Sequence, residues 1–242
     1  MKNCLLTKAF LTKRRHQRQT STAVCDVGAR FRLVFGKVTA NSLVIDKIDK
    51  INKIDNVESE RLVIRLSASI PSAFGSTNLH TTTFWCAEML EKYLEGDKIL
   101  DVGTGAGILT ICTVRLIMDV GISYLNSCQI DAFDIYQDAI AQARINLRLN
   151  GLEKYVNLRQ SILANYPKRF YSIVIANLPP IAIAEFWPQL IEKVANNGKL
   201  ILSGLLKHNL SSMVERLTRN NFKLIDQVVT DLWCLIVVEK NS

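Results

Sequence analysis

"ILDVGTGAGIL", residues 99–109, joins an apolar run to three glycines at 103, 105 and 107. The run reads as a buried strand, and "AGILTICTVRLIM" behind it as a helix. In an open parallel sheet, such a glycine turn lies at the crevice where ligands bind. The chain repeats the alternation on the C-terminal side. "CQIDAFDI" (128–135), "YVNLRQS" (155–161), "YSIVIAN" (171–177) and "KLILSGL" (199–205) read as strands. "YQDAIAQARINLRLNG" (136–151) reads as an amphipathic helix closed by Gly151, and "SSMVERLTRNN" (211–221) as another helix. "IAIAEFWPQLIEKVANNG" (181–198) reads as helical in its latter part, with a break or a new first turn near Pro188. "FKLIDQVVT" and "LWCLIVVEK" follow each other across a short turn, so they form an antiparallel pair. Together these predict an α/β fold: a doubly wound, mostly parallel seven-stranded sheet with a C-terminal antiparallel hairpin.

Upstream of this domain the pattern changes. "ARFRLVFGK", "NSLVIDKI" and "ERLVIRLSAS" read as strands, and "KIDKINKIDN" (47–56) as an exposed connector. The expected organisation is a basic head at 1–25, a small β-rich or irregular region at 26–70, and the main domain at 71–242.

Charge sets the head apart. Residues 1–40 carry nine Lys or Arg against the single acid Asp26, a net of +8 that equals the whole chain's +8. "KRRHQRQTSTAV" is Arg-rich and free of acids, a composition shared by arms that touch RNA, by targeting presequences and by irregular termini. No apolar run approaches the roughly 18 residues that span a bilayer, which predicts a soluble, cytoplasmic protein with no membrane partner. Organellar import is the alternative if the head is a presequence. The six cysteines are scattered, with no CxxC pair and no histidine at ligand spacing. They read as reduced thiols, and no metal is expected.

The cofactor follows from the loop. The dinucleotide fingerprint G-x-G-x-x-G needs glycine at 108, where this chain has Ile108. Asp101 stands two residues before Gly103, and a carboxylate there repels pyrophosphate. S-adenosylmethionine has no phosphate, and its ammonium and sulfonium are favoured by negative charge. The loop residues Asp101, Gly103, Thr104, Gly105 and Gly107 are therefore expected to take that cofactor. A second acid closing the next strand can accept from two ribose hydroxyls at once, and Asp134 is placed to do so. It lies 31 residues after Gly103, which implies an insertion in "MDVGISYLNS". Asp131, inside the strand, is the less favourable competitor.

Over roughly residues 61–240 the sequence resembles the class I S-adenosylmethionine-dependent methyltransferases, and more closely the ribosomal protein L11 methyltransferase (PrmA) family. The resemblance is carried by "ERLVIRL", "SAFGSTNLHTTTFWCAEMLE", "ILDVGTGAGIL", "IVIANLPP", "GKLILSGLL" and "DLWCLIVVEK". The second stretch is the most specific. It departs from the family by one extra residue between Gly75 and His80 and by Thr81 in place of proline. The resemblance implies a Rossmann-like methyltransferase domain over 71–242. It also implies an adenine contact at Ser161. Phe74 is expected to flank the donor or the substrate, and His80 and Thr82 to contact the donor. His80 with Thr81, Thr82 and Thr83 is expected to cap a helix whose free N–H groups suit the donor's carboxylate.

Asn177, at a strand end, is the expected catalytic residue. Its amide oxygen can accept from an incoming amine and aim the lone pair at the methyl carbon. Pro179 and Pro180 stiffen the chain behind it and complete the acceptor side. Trp187 is expected to pack in the core, while His16 and His208 have no visible partner. The expected reaction is N-methylation of a protein or peptide amine. A small molecule or natural product, or an RNA base reached through the basic head, are alternative acceptors. A non-catalytic donor-binding protein is disfavoured by the retained Asp101, Asp134 and Asn177.

Overall fold

The computed structural model describes residues 23–27, 31–36, 62–67, 80–165 and 170–242. Strands β1 (Ala23–Val27), β2 (Phe31–Gly36) and β3 (Leu62–Ser67) form a small sheet, antiparallel between β1 and β2 and parallel between β2 and β3. β1 was not legible as a strand, and it crosses the expected head boundary at residue 25. "NSLVIDKI" and the head before residue 23 lie outside the described residues.

The main domain follows as α1 (Thr81–Tyr93), β4 (Lys98–Val102), α2 (Ile108–Val120), α3 (Ile122–Ser127), β5 (Gln129–Asp134) and α4 (Gln137–Leu149). Next come β6 (Val156–Gln160), β7 (Tyr171–Asn177), α5 (Pro180–Glu192), β8 (Val194–Leu206), α6 (Leu210–Arg219), β9 (Phe222–Val229) and β10 (Trp233–Lys240). Seven strands form one sheet in the order β6-β5-β4-β7-β8-β10-β9. All pairs from β6 to β8 are parallel, and β10 runs antiparallel to both β8 and β9. The chain winds outward from β4 to β6, then returns to β7 on the other side of β4. That reversal is the topological switch point, and the carboxyl ends of β4, β5 and β7 meet there.

Alternate side chains of each strand point to opposite faces, which splits the core in two. Ile99, Ile130, Ile173, Ile175, Ile201 and Val237 pack with Cys86 and Leu90 of α1, Ile111 of α2 and Leu147 of α4. Leu100, Val174, Leu200, Leu202 and Ile236 pack on the other face with Ile183 and Leu190 of α5 and Met213 and Leu217 of α6. Helix α4 ends as its sequence requires. Gly151 takes φ +69°, and the N–H groups of Gly151 and Leu152 reach the carbonyls of Arg148 and Leu147. The insertion before β5 forms α3, which accounts for the long spacing from Gly103 to Asp134.

The expected break at Pro188 is a correction. Helix α5 starts at Pro180, where a missing N–H costs nothing, and runs unbroken through Pro188. Pro188 and Ala184 both lie on the exposed face, so water can serve the carbonyl that loses its partner. The buried side is held by Ile183, Leu190 and Ile191, and the helix stops at Glu192 rather than continuing through "VANNG". Trp187 packs against the second core, as expected, with Arg216 over its ring. Cys86, Cys112 and Cys234 are free and buried. Burial pushes the Cys86 and Cys112 thiols far up, which keeps them protonated. No helix among the described residues is long and apolar enough to cross a membrane.

Candidate active site

Three strand ends build the site. β4 delivers the glycine loop, β5 ends on Asp134 and β7 ends on Asn177. The loop folds onto its own protein acceptors. The N–H groups of Gly103 and Thr104 both donate to the Phe133 carbonyl (2.9 and 3.0 Å), and that of Gly107 donates to the Thr104 carbonyl (2.9 Å). The Gly105 N–H donates to Asp134 Oδ2 at 2.9 Å. These four amides are spent, so they cannot cradle a phosphate, whereas a ligand without phosphate asks nothing of them. Positive φ at Gly103, Gly105 and Gly107 makes the turn possible. Gly107 also lets the loop touch α4, because a Cβ there would stand 3.1 Å from the Ala143 Cβ.

Asp101 lies beneath the loop and is 2% exposed. Its Oδ2 accepts from the hydroxyls of Thr104 (2.8 Å) and Thr110 (2.6 Å), which ties the loop to the first turns of α2. Burial raises its pKa to about 6, against the pull of the Thr110 and Thr104 hydroxyls and with a further push from the Asp134 charge. The folded state therefore holds a proton that the unfolded chain has released above about pH 4. Native protein binds more protons between roughly pH 4 and 6, so this group's contribution to stability falls as pH rises through that window. An Asp101→Asn variant, which keeps an acceptor for both hydroxyls, is expected to flatten that fall. Paired thermal melts of wild type and variant from pH 4 to 8 check it; parallel curves would show that Asp101 titrates normally.

Asp134 is 6% exposed and spends one lone pair of each oxygen. Oδ2 takes the Gly105 N–H, and Oδ1 takes the Tyr136 N–H at 3.0 Å. The other lone pairs are free to accept a pair of neighbouring hydroxyls. Ser161 is brought to this place, its N–H donating to the Asp134 carbonyl at 3.0 Å. Three residues that the sequence did not single out adjoin Asp134 and Ser161 along the chain, and the side chains of Ile135, Tyr136 and Ile162 are all exposed. A flat heterocycle could cover them. Asp131, by contrast, is buried, and it accepts from the Tyr171 hydroxyl (2.7 Å) and from Asn157 Nδ2 (2.6 Å).

Asn177 stands on the strand next to the loop. Its Nδ2 donates to the Thr83 hydroxyl at 3.3 Å, which leaves Oδ1 for an incoming donor. Thr83 had appeared only among the cap residues, and nothing local in the sequence pairs it with a residue 94 positions away. His80 caps α1 as expected, with Nδ1 accepting from the Thr82 N–H (3.4 Å) and 2.9 Å from its hydroxyl. The His80 ring also meets Trp233 edge-on, with centroids 5.2 Å apart. Pro179 is the N-cap of α5 and Pro180 its first residue. Leu178, between Asn177 and Pro179, carries a further constraint. A Cβ on Gly204 would lie 1.8 Å from the Leu178 carbonyl oxygen, and one on Gly103 would lie 2.5 Å from a Leu178 methyl. Phe74 lies outside the described residues, and His208 is exposed.

The chain is similar to known proteins in sequence and in fold. The ribosomal protein L11 methyltransferase of Bacillus licheniformis is 28% identical over 185 residues, covering 76% of this chain and 56% of that protein. That of Geobacter sulfurreducens is 38% identical over 165 residues, 68% and 51% of the two chains. The chain thus spans about half the length of the curated relatives it matches. In fold it is similar to the ribosomal protein L11 methylase of Lactobacillus delbrueckii subsp. bulgaricus, with a TM-score of 0.70 and 22% identity over 90% of this chain and 99% of that one. The family model of ribosomal protein L11 methyltransferase (PrmA) matches residues 37–241, and the chain belongs to that family.

Proposed function

We propose that this protein is an S-adenosylmethionine-dependent methyltransferase that N-methylates an amine of a protein or peptide. The observation that carries the reading is the Asn177 amide, held by Thr83 with its oxygen free, on the strand beside the glycine loop. When bound, S-adenosylmethionine supplies an electrophilic methyl group on a sulfonium. The protein's part is to place and align. Asp134 offers its two free lone pairs to the ribose hydroxyls, and Ile135, Tyr136 and Ile162 with Ser161 face the adenine. The buried charge of Asp101 and the N-terminal turn of α1, with His80 and Thr82, attend the amino acid end. Asn177 Oδ1 accepts from the acceptor amine and turns its lone pair toward the methyl carbon. Pro179 and Pro180 stiffen the backbone that follows Asn177. Such alignment contributes up to roughly 7–11 kcal/mol in favourable cases.

Donor binding is checked first. Asp134→Asn is expected to weaken it about tenfold, since one charge-assisted acceptor is lost. Calorimetry with S-adenosylmethionine reads this, and unchanged affinity would remove Asp134 from the site. The acceptor is identified by incubating the protein with methyl-labelled S-adenosylmethionine and a cell extract, beside Asn177→Ala. Label in one protein band, lost with the variant, supports the reading. Label in RNA would favour a second reading, an RNA base, which is motivated by the +8 charge of residues 1–40 and by "NLPP". Label in the small-molecule fraction would overturn both.

A further inference from the structure

The glycine loop is held from outside as well as from within. Gln142, Asn146 and Asn150 stand four residues apart along α4 and its C-cap, and all three are buried. That face meets β3. Asn150 Oδ1 accepts from the Arg65 N–H (3.0 Å), and its Nδ2 donates to the Arg65 carbonyl (2.7 Å). Asn146 Oδ1 accepts from the Ser67 N–H (2.7 Å), while Gln142 Nε2 donates to the Ser67 carbonyl (2.8 Å). Alternate residues of a strand present their backbone groups to the same edge. The three amides thus stand where a neighbouring strand would pair, and β2 holds the other edge.

Asn146 reaches one step further. Its Nδ2 donates to the Ala106 carbonyl at 2.8 Å, inside the glycine loop. Gln142 Nε2 also donates to Asn146 Oδ1 (3.2 Å), so the oxygen faces two donors and the nitrogen must face Ala106. One side-chain amide bridges the N-terminal sheet and the loop.

We propose that Asn146 is a positioning residue that couples the seating of β3 on α4 to donor affinity. The coupling rests on the reading of the loop as the S-adenosylmethionine site. Because linkage is reciprocal, bound donor holds β3 in place, and anything that lifts β3 weakens the donor.

Two variants separate the halves of the bridge. Asn146→Asp keeps the acceptor for Ser67 and Gln142 but removes the donor to Ala106. Gln142→Ala removes one contact to β3 and one of the two donors to Asn146 Oδ1, but keeps the Asn146 donor to Ala106. At pH 8, calorimetry with S-adenosylmethionine is expected to show Asn146→Asp about tenfold weaker and Gln142→Ala less than about threefold weaker than wild type. Hydrogen exchange provides the readout that general destabilisation does not move. Donor slows exchange at residues 64–67 in wild type and does not in Asn146→Asp. Equal losses in both variants, or an unchanged donor affinity in Asn146→Asp, overturn the coupling. If Asn146→Asp does not fold, the wild-type exchange decides: donor that binds without slowing residues 64–67 overturns it. Wild-type protein that binds no donor overturns the methyltransferase reading itself, and the coupling with it.

Discussion

Replacing Asn177 with alanine is expected to lower the turnover of methyl transfer about 100- to 1,000-fold, because in the proposed reaction the acceptor amine loses the group that orients it. Donor affinity is expected to change little, since the proposed site has the donor's ribose and adenine met by Asp134 and the side chains around it. The loss falls on the rate after binding and not on KM for S-adenosylmethionine. Thr83 gives the finer test. Removing its hydroxyl in Thr83→Ala leaves the half-buried Asn177 amide free to rotate, and turnover is expected to drop about tenfold. Thr83→Ser restores the hydroxyl and the rate. Single-turnover rates with the labelled acceptor, set beside donor titrations, read all three variants. An Asn177→Ala enzyme within threefold of wild type would take the amide out of the acceptor's path.

Gly204→Ala is expected to damage both fold and activity. Gly204 sits in β8 at φ +92°, a conformation that costs other residues roughly 1–2 kcal/mol. The added Cβ would also meet the Leu178 carbonyl oxygen at 1.8 Å, and backbone cannot swing aside as a side chain can. The Leu178 N–H donates to the Ser203 carbonyl, so a displaced Leu178 pulls on that bond and on Asn177 before it. Strain and overpacking together cost about 3 kcal/mol, which lowers Tm by roughly 6–12 °C in a chain of this size. The surviving folded fraction should turn over about 100-fold more slowly, since a shift of about 1 Å at the acceptor side is enough. Thermal denaturation and rates corrected for folded protein measure the two effects. Gly103→Ala meets only the end of the Leu178 side chain, so the clash part of its cost is smaller.

The alternation of apolar strands and amphipathic helices, the glycine loop and the acid at the end of the next strand were all legible along the chain. Each is local: the period of a strand, the φ of a glycine and the end of a run depend on residues a few positions apart. Local reading failed at Pro188, because proline chemistry argues for a break while the burial of Ile183, Leu190 and Ile191 and an exposed face keep the helix whole. The exposure of Ile135, Tyr136 and Ile162 was hidden for a similar reason. An apolar residue next to a strand is ordinary until the fold leaves it uncovered.

From the sequence alone came the doubly wound class, the glycine loop at the end of β4 and the placing of Asp134 and Asn177 at strand ends beside it. Only the tertiary structure decided that Thr83 turns the Asn177 amide, that Gly204 makes room for Leu178, and that Asn146 joins β3 to the glycine loop. The physical reason is common to the three. Hydrogen bonds and steric limits act over about 3 Å, and they join residues that are 94, 26 and up to 79 positions apart. Spacing along a chain carries no record of such contacts until the sheet has brought the strands side by side.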